Sequence, residues 1–202
     1  MSIAAPVRRP VLADRVVPRS WVASGILVVA GTGLVALLAQ VAIPLWPVPI
    51  TGQTFAVLFV GAALGPLRGA LSLALYLVLG VAGVPIFTAG AHGSLFSLAS
   101  GGYIVGFVVA AALVGWLAAR RWDRRWYGTV VAFLAGTAVM YLFGLPWLYL
   151  TVGVQQADPI GFTVQNGLLV FLVGDAIKAG VAGVLLPLAW KASDRAEERR
   201  AA

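Results

Sequence analysis

Apolar residues run along this chain in long blocks, not in the alternation of a half-buried strand or the stripe of a surface helix. The blocks are Trp21–Ile43, Gln53–Leu64, Leu67–Gly83, Gly101–Ala119, Thr129–Thr151 and Gln165–Trp190. A helix that crosses the hydrocarbon core of a bilayer needs about 20 mostly apolar residues. Four of the blocks meet that requirement alone. Gln53–Leu64 is short, and Leu67–Gly83 starts just after Gly65-Pro66, so these two are predicted to form a helical hairpin with its turn shallow in the membrane. The pattern predicts an all-α membrane protein of six transmembrane helices. The segment Gly83–Ser100 is rich in Gly and Pro and is not helical throughout. A connection of that length without a task is uncommon, which makes it a candidate lid or binding loop.

Composition agrees with the pattern. Of 202 residues, 61% are hydrophobic and 10% charged, against roughly 25% charged in a soluble domain. The net charge of +7 would suggest a nucleic-acid partner in a soluble protein, but the placement of the positives gives another reading, and no nucleic acid is expected. Arg8, Arg9, Arg15 and Arg19 precede the first block, and Arg68 stands at the turn between the second and third, in the opening residues of the third. Arg120, Arg121, Arg124 and Arg125 lie between the fourth and fifth, and Lys191, Arg195, Arg199 and Arg200 follow the sixth. The alternate connections Pro44–Ile50, Val84–Ser100 and Val152–Val164 hold no Lys or Arg. Basic residues mark the cytoplasmic side, so six crossings put both termini there, whereas an odd number would scatter the charges. Residues 1–20 are then a basic cytoplasmic segment, 21–192 the transmembrane domain and 193–202 a charged, frayed cytoplasmic tail. The run from Trp21 is too long for a signal peptide's apolar region of about 7–15 residues and is expected to be a retained helix. The expected location is the cell inner (plasma) membrane, multi-pass, in contact with lipid.

The basic residue that breaks this rule is Lys178, inside the sixth block and three positions from Asp175. Opposite charges within an apolar helix cost a few kcal/mol each, and a spacing of three puts them on one helix face. They are either a structural ion pair or a polar site for a ligand with donors and acceptors. The loop Gly83–Ser94 contains Gly90 and Gly93, where the backbone can approach a ligand closely, and Phe87, an apolar face. It also carries His92, the one histidine, which reads as solvated as readily as functional. In Pro47–Thr54, Thr51 reads as an N-cap, and Gln53 either completes the cap or reaches a solute. Ser100-Gly101-Gly102-Tyr103 opens the fourth block, where helix N–H groups suit an anion such as a carboxylate. Tyr103 is a pocket residue or an interfacial aromatic.

Other chemistries are missing. Cysteine is absent, which removes disulfides, thiolate metal sites and cysteine nucleophiles. No G-x-x-x-x-G-K-[ST] loop, H-E-x-x-H or G-x-S-x-G occurs. No catalytic residue, metal or cofactor is expected. A membrane enzyme would lack a nucleophile or metal cluster, and a structural scaffold would have no use for Asp175 and Lys178.

Several stretches resemble a known family. They are Pro49-Ile50-Thr51-Gly52-Gln53-Thr54, Gly65-Pro66-Leu67-Arg68-Gly69-Ala70-Leu71-Ser72 and the run Tyr76–Phe87, followed by Gly101–Phe107 and Gly174-Asp175-Ala176-Ile177-Lys178. Their order over Gln40–Leu186 resembles the BioY family, the biotin-binding S components of energy-coupling factor (ECF) transporters. The resemblance implies an ECF S-component-like fold with an outward-facing pocket and tight binding of biotin. It also implies a separate transmembrane coupling subunit and two cytoplasmic ATPase subunits. On this resemblance Asp175 contacts the ureido ring and Lys178 contributes beside it. Tyr103, Gln53, Phe87, Gly90 and Gly93 complete the candidate substrate-binding set. Leu98-Ala99-Ser100 departs from the Gly-Pro-Thr that often precedes Gly-Gly-Tyr in the family. The docking pattern of small residues on the first helix has Thr32-x-x-x-Ala36 as its nearest match. The alternative function is a solitary vitamin or small-solute transporter or facilitator working without ATPase partners.

Overall fold

A computed structural model describes residues 11–18 and 20–201. Arg8, Arg9, Arg19 and Ala202 lie outside the described residues. After a single helical turn, α1 (Ala13–Val16), the chain forms α2 (Trp21–Ala39) and a two-residue ribbon of β1 (Ala42–Ile43) and β2 (Ile50–Thr51). It continues through α3 (Gln53–Leu64), α4 (Pro66–Val81), α5 (Gly101–Ala119) and α6 (Trp126–Thr151). It closes with α7 (Pro159–Val164), a π-helical turn over Gln165–Leu169 and α8 (Val170–Ala201).

All six predicted blocks are helical, with shifted ends that have local causes. α2 stops at Ala39, ahead of the predicted Ile43, because Ala42 and Ile43 pair antiparallel with Thr51 and Ile50. Thr51 is therefore in the ribbon. Gly52 occupies the cap of α3, although the Thr51 hydroxyl still accepts from Gln53 N–H at 3.2 Å. α4 begins at Pro66, whose fixed φ and missing N–H suit a first helical position, and ends before Gly83, which adopts φ +101°. α6 begins three residues before the predicted Thr129. The sixth block starts earlier too, where Asp158 caps α7 by accepting from Gly161 N–H at 3.0 Å. The tail predicted to fray is helical to Ala201. Its Ala, Glu and Arg residues favour helix, and Asp194 (3.6 Å) and Glu197 both pair with Arg15.

Among the described residues four helices are long and apolar enough to cross a membrane: Trp21–Ala39, Gly101–Ala119, and those within Trp126–Gln155 and Pro159–Arg199. The other two, Gln53–Leu64 and Pro66–Val81, are shorter. At 1.5 Å per residue α3 spans only about 18 Å of a core about 30 Å thick, in keeping with the predicted hairpin. Along the helices large apolar side chains such as Ile26, Leu37, Val78, Leu142, Leu150 and Val173 are exposed. A water-facing surface does not carry so many exposed large apolar side chains.

α5 is the centre of the bundle, between the α3–α4 hairpin and α6. Its approach to the hairpin is set by glycine. A Cβ on Gly61 would lie 2.5 Å from the Ala111 carbonyl oxygen, and one on Gly115 would lie 2.5 Å from the Gly65–Pro66 peptide. The basic segments gather at one end of the bundle. Arg68 donates to Asp14 (2.8 Å) and Ser24 (3.1 Å), and Arg124 stacks 3.8 Å above the Trp190 ring. The connections free of Lys and Arg meet at the other end. There Trp46 packs against Phe162 (5.5 Å between ring centres), and Trp147 Nε1 donates to the Leu98 carbonyl at 3.0 Å.

Candidate ligand-binding site

Below the ribbon, at the end free of basic loops, a recess is enclosed by α3, α5, α6 and α8 and roofed by the 83–100 loop. Asp175 and Lys178 project into it from α8, paired at 3.5 Å. Asp175 is 8% exposed, so its charge needs partners. A second one comes from α6, where the Tyr141 hydroxyl donates a short hydrogen bond to Asp175 Oδ2. Lys178 Nζ donates to Thr54 Oγ1 on α3 at 2.7 Å. The ion pair thus ties three helices together and still faces the recess. With three donors on one ammonium and four lone-pair sites on one carboxylate, both groups have capacity left for a ligand.

Two of the other predicted residues share this recess. Tyr103 enters from α5 and donates its hydroxyl to the Gly167 carbonyl at 2.8 Å. Gly167 lies in the π-helical turn. Such a turn leaves i→i+4 carbonyls unpaired, and insertions of this kind recur at functional sites. Gln53 is buried, and its Nε2 donates to the Tyr76 hydroxyl at 2.7 Å. Tyr76 donates onward to the Ile86 carbonyl (3.1 Å), and Thr88 donates to Gln53 Oε1 (3.4 Å). Gln53 therefore faces the recess and anchors the loop above it rather than completing a helix cap.

The remaining three lie elsewhere. Phe87 is buried against Tyr76, 5.3 Å between ring centres, and fills the space left by Gly80. It lines an outer cavity of about 400 Å³ with Trp46, Ala91 and Leu98. Gly90 and Gly93 line neither cavity; at φ +73° and +89° they shape the loop, and Gly93 N–H donates to the Gly80 carbonyl at 2.7 Å. His92 is exposed beside the Gly90 carbonyl. Thr54, Phe107, Thr137, Met140, Tyr141 and Phe171 line the recess and were not among the predicted residues. Thr54 adjoins Gln53 and lies within a singled-out motif. Tyr141 sits in an apolar run and carries no local signal.

The inner recess is small, about 50 Å³, enough for one or a few waters. Pro49, Thr88 and Ser100 line both it and the outer cavity. The outer cavity of about 400 Å³ is already within the roughly 300–1,000 Å³ of small-molecule sites, and the inner recess deepens it. The inner part is polar at its floor, the outer part mostly apolar. Among the described residues no group of three His, Cys, Asp or Glu could hold a metal.

The BioY family model matches residues 12–195. The chain belongs to the BioY family. The biotin transporter BioY of Rhizobium etli is 33% identical over 158 residues, covering 74% of this chain and 81% of that protein. The biotin transporter BioY of Thermotoga maritima is 33% identical over 156 residues, covering 76% and 88%. Among solved structures, the S-component for biotin from an ECF-type ABC transporter superposes with a TM-score of 0.73 at 27% identity, covering 84% of this chain and 92% of that one. The family is one of transporters, not enzymes, and the chain is a multi-pass membrane protein.

Proposed function

We propose that this BioY-family chain is the high-affinity biotin-binding subunit of an ECF-type transporter, an S component that takes the vitamin from outside and releases it inward. The observation that carries the reading is the buried Asp175, held by Tyr141 and Lys178 at the polar floor of a cavity that is apolar above. Biotin's ureido group offers two N–H donors and a carbonyl acceptor, which match Asp175 and Lys178. Its thioether ring and aliphatic chain suit the apolar walls. Its carboxylate suits the outer level, where Ser100 stands at the start of α5 without making a side-chain cap. Tyr103 and Gln53 line the recess around the ureido ring, and Phe87 borders the chain. Gly90 and Gly93 act through the loop.

The gathering of basic segments at one end supports a cytoplasmic position for that end and for both termini, with the α3–α4 hairpin counted as two of six crossings. A chain without a nucleotide loop needs energy from elsewhere, which a transmembrane coupling subunit and two ATPase subunits would supply. Thr32 cannot be a docking residue, because it is buried and donates to the Ser72 carbonyl at 2.8 Å. On the exposed side of α2, Gly25 and Gly33 are open, and this is the face for the coupling subunit.

The test is titration of the purified chain with biotin, wild type against Asp175→Asn. A hydrogen bond to a charged group is worth about 1.5–3 kcal/mol, so the variant should bind roughly ten- to a hundredfold more weakly. No binding by wild type below micromolar concentrations would overturn the vitamin, and equal binding by both proteins would overturn the residue. ATP-dependent uptake that requires partner subunits supports the S-component reading, while uptake by this chain alone makes it a facilitator.

A further inference from the structure

At the basic end, between the C-terminus of α5 and the start of α6, lies an open recess of about 620 Å³ that has no part in the site above. Its walls include Arg121, Arg124 and Arg125, together with Trp122, Tyr127 and Val131, and no carboxylate lines it. Asp123, the acid in this link, is turned inward and accepts from Trp190 Nε1 at 2.5 Å. Among the described residues neither Arg121 nor Arg125 has a carboxylate within ion-pair distance; Arg125 donates to the Tyr127 hydroxyl at 2.6 Å. Asp123 and Asp194 meet part of the charge of Arg124, which leaves Arg121 and Arg125 as the cations whose charge an anion in the recess would meet.

Two further observations separate this recess from an ordinary solvated loop. Arg121 follows the end of α5 at φ +71°, in the left-handed region. That position after a helix is normally taken by glycine, and a side chain there costs energy, a type of strain that collects at functional sites. The recess also opens onto an apolar stripe. Tyr127, Val131 and Leu134, at helical spacing along α6, are each 48% exposed, and Trp126 beside them is 67% exposed. A phosphate among the guanidinium groups would thus have an acyl chain lying along α6, with Trp and Tyr at the level of the head groups. A soluble anion would use the arginines and leave the stripe without a partner. Basic pockets at the cytoplasmic ends of membrane helices fit acidic lipid head groups.

We propose that the Arg121–Arg125 recess binds one anionic phospholipid, its phosphate held by Arg121, Arg124 and Arg125 and one acyl chain along Tyr127, Val131 and Leu134. The inference is independent of the vitamin reading, because it concerns the opposite end of the molecule and is read without biotin. Delipidated full-length protein in detergent is titrated with dioleoyl-phosphatidylglycerol or dioleoyl-phosphatidylcholine, and bound lipid is counted by native mass spectrometry. Wild type should retain one phosphatidylglycerol in preference to phosphatidylcholine. The test variant is Arg121→Gly/Arg125→Gln, in which glycine suits the backbone at φ +71° and the fold is retained. A surface arginine contributes about fivefold to acidic-lipid binding, so the preference should fall about 25-fold. Equal retention of both lipids by wild type, or an unchanged preference in the variant, would overturn the proposal. Displacement of the lipid by millimolar inorganic phosphate would assign the recess to a free anion instead and overturn the lipid assignment.

Discussion

Asp175 and Asp123 are both buried carboxylates, and their partners differ. Asp175 has the Tyr141 hydroxyl on one oxygen and the Lys178 ammonium 3.5 Å from the other, so its charge is met on both sides. Asp123 receives Trp190 Nε1 on Oδ2, while its Oδ1 is buried with no partner. Burial pushes the Asp123 carboxyl up to about 6, with the Trp190 bond and the nearby Arg124 pulling the other way. A folded value above the ordinary one of about 3.9 means that the folded chain holds this proton more tightly. Stability from the group is then fully present below about pH 4 and is lost as pH rises through about 6. A shift of about two units corresponds to roughly 2–3 kcal/mol. Asp123→Asn, which mimics the protonated acid, should therefore melt higher than wild type at pH 7.5 and match it near pH 4. Thermal unfolding in detergent across this range checks the difference, and a constant gap between the two proteins would contradict the assignment.

Among the elements, α5 sets the tolerance of the bundle because it packs on both sides while α2 keeps one face open. A methyl group on Gly115 would meet backbone atoms of Gly65 and Pro66 at 2.5 Å, and backbone cannot swing aside as a side-chain tip can. Overpacking of this kind typically costs about 1–3 kcal/mol. Gly33 on α2 has nothing within 4 Å of an added Cβ. Gly115→Ala should lower the melting temperature by several degrees, whereas Gly33→Ala should leave it unchanged or slightly raised, since alanine favours helix by about 1 kcal/mol. Melting curves of the two purified variants decide this, and equal effects would remove α5 from its central role. The same contrast shows what a sequence carries. The bounds of α3 and α5 were legible to the residue, because Gly52 and Gly65-Pro66 mark the ends of α3, and Gly101 and the charged Arg120-Arg121 mark those of α5. The extent of α8 was not, because Glu197 and Arg195 read equally well as a solvated tail until Arg15 is brought across from the other terminus. Asp175 and Lys178 were legible because charge inside an apolar run is costly. Tyr141 was not, since its partner lies 34 positions away and only the packing of α6 on α8 joins them.

At the scale of the whole molecule, the division into a basic end and an end whose loops hold no Lys or Arg turns into a statement about sides of the membrane. Arg15, Arg68 and Arg124 reach the basic end from three separate segments and meet there Asp14, the α8 tail and Trp190. The opposite end collects the ribbon, the 83–100 loop and the link before α7, with the ligand cavities between them. If α3 and α4 together cross the bilayer twice, all four basic segments share the cytoplasm. If the hairpin enters and leaves on one side without crossing, the N-terminal, 120–125 and C-terminal basic segments still share a side, because a re-entrant pair also returns the chain to where it began, and Arg68 at its turn alone leaves that side. The orientation is therefore insensitive to the one count that helix length leaves open. The chain has no cysteine, so single thiols can be placed without background. Cysteine at Ser94, exposed in the outer loop, should react with a membrane-impermeant maleimide on intact cells. Cysteine at Asp194, half-exposed on the α8 tail, should react only after the membrane is opened. A third at Leu67, exposed at the hairpin turn, addresses the hairpin itself: labelling only in opened cells puts that turn with the tail and makes α3 and α4 two true crossings. Labelling of Leu67 from outside together with Ser94 would make the pair re-entrant and reduce the crossings to four. Labelling of the tail site on intact cells would reverse the orientation and, with it, the direction from which the vitamin enters.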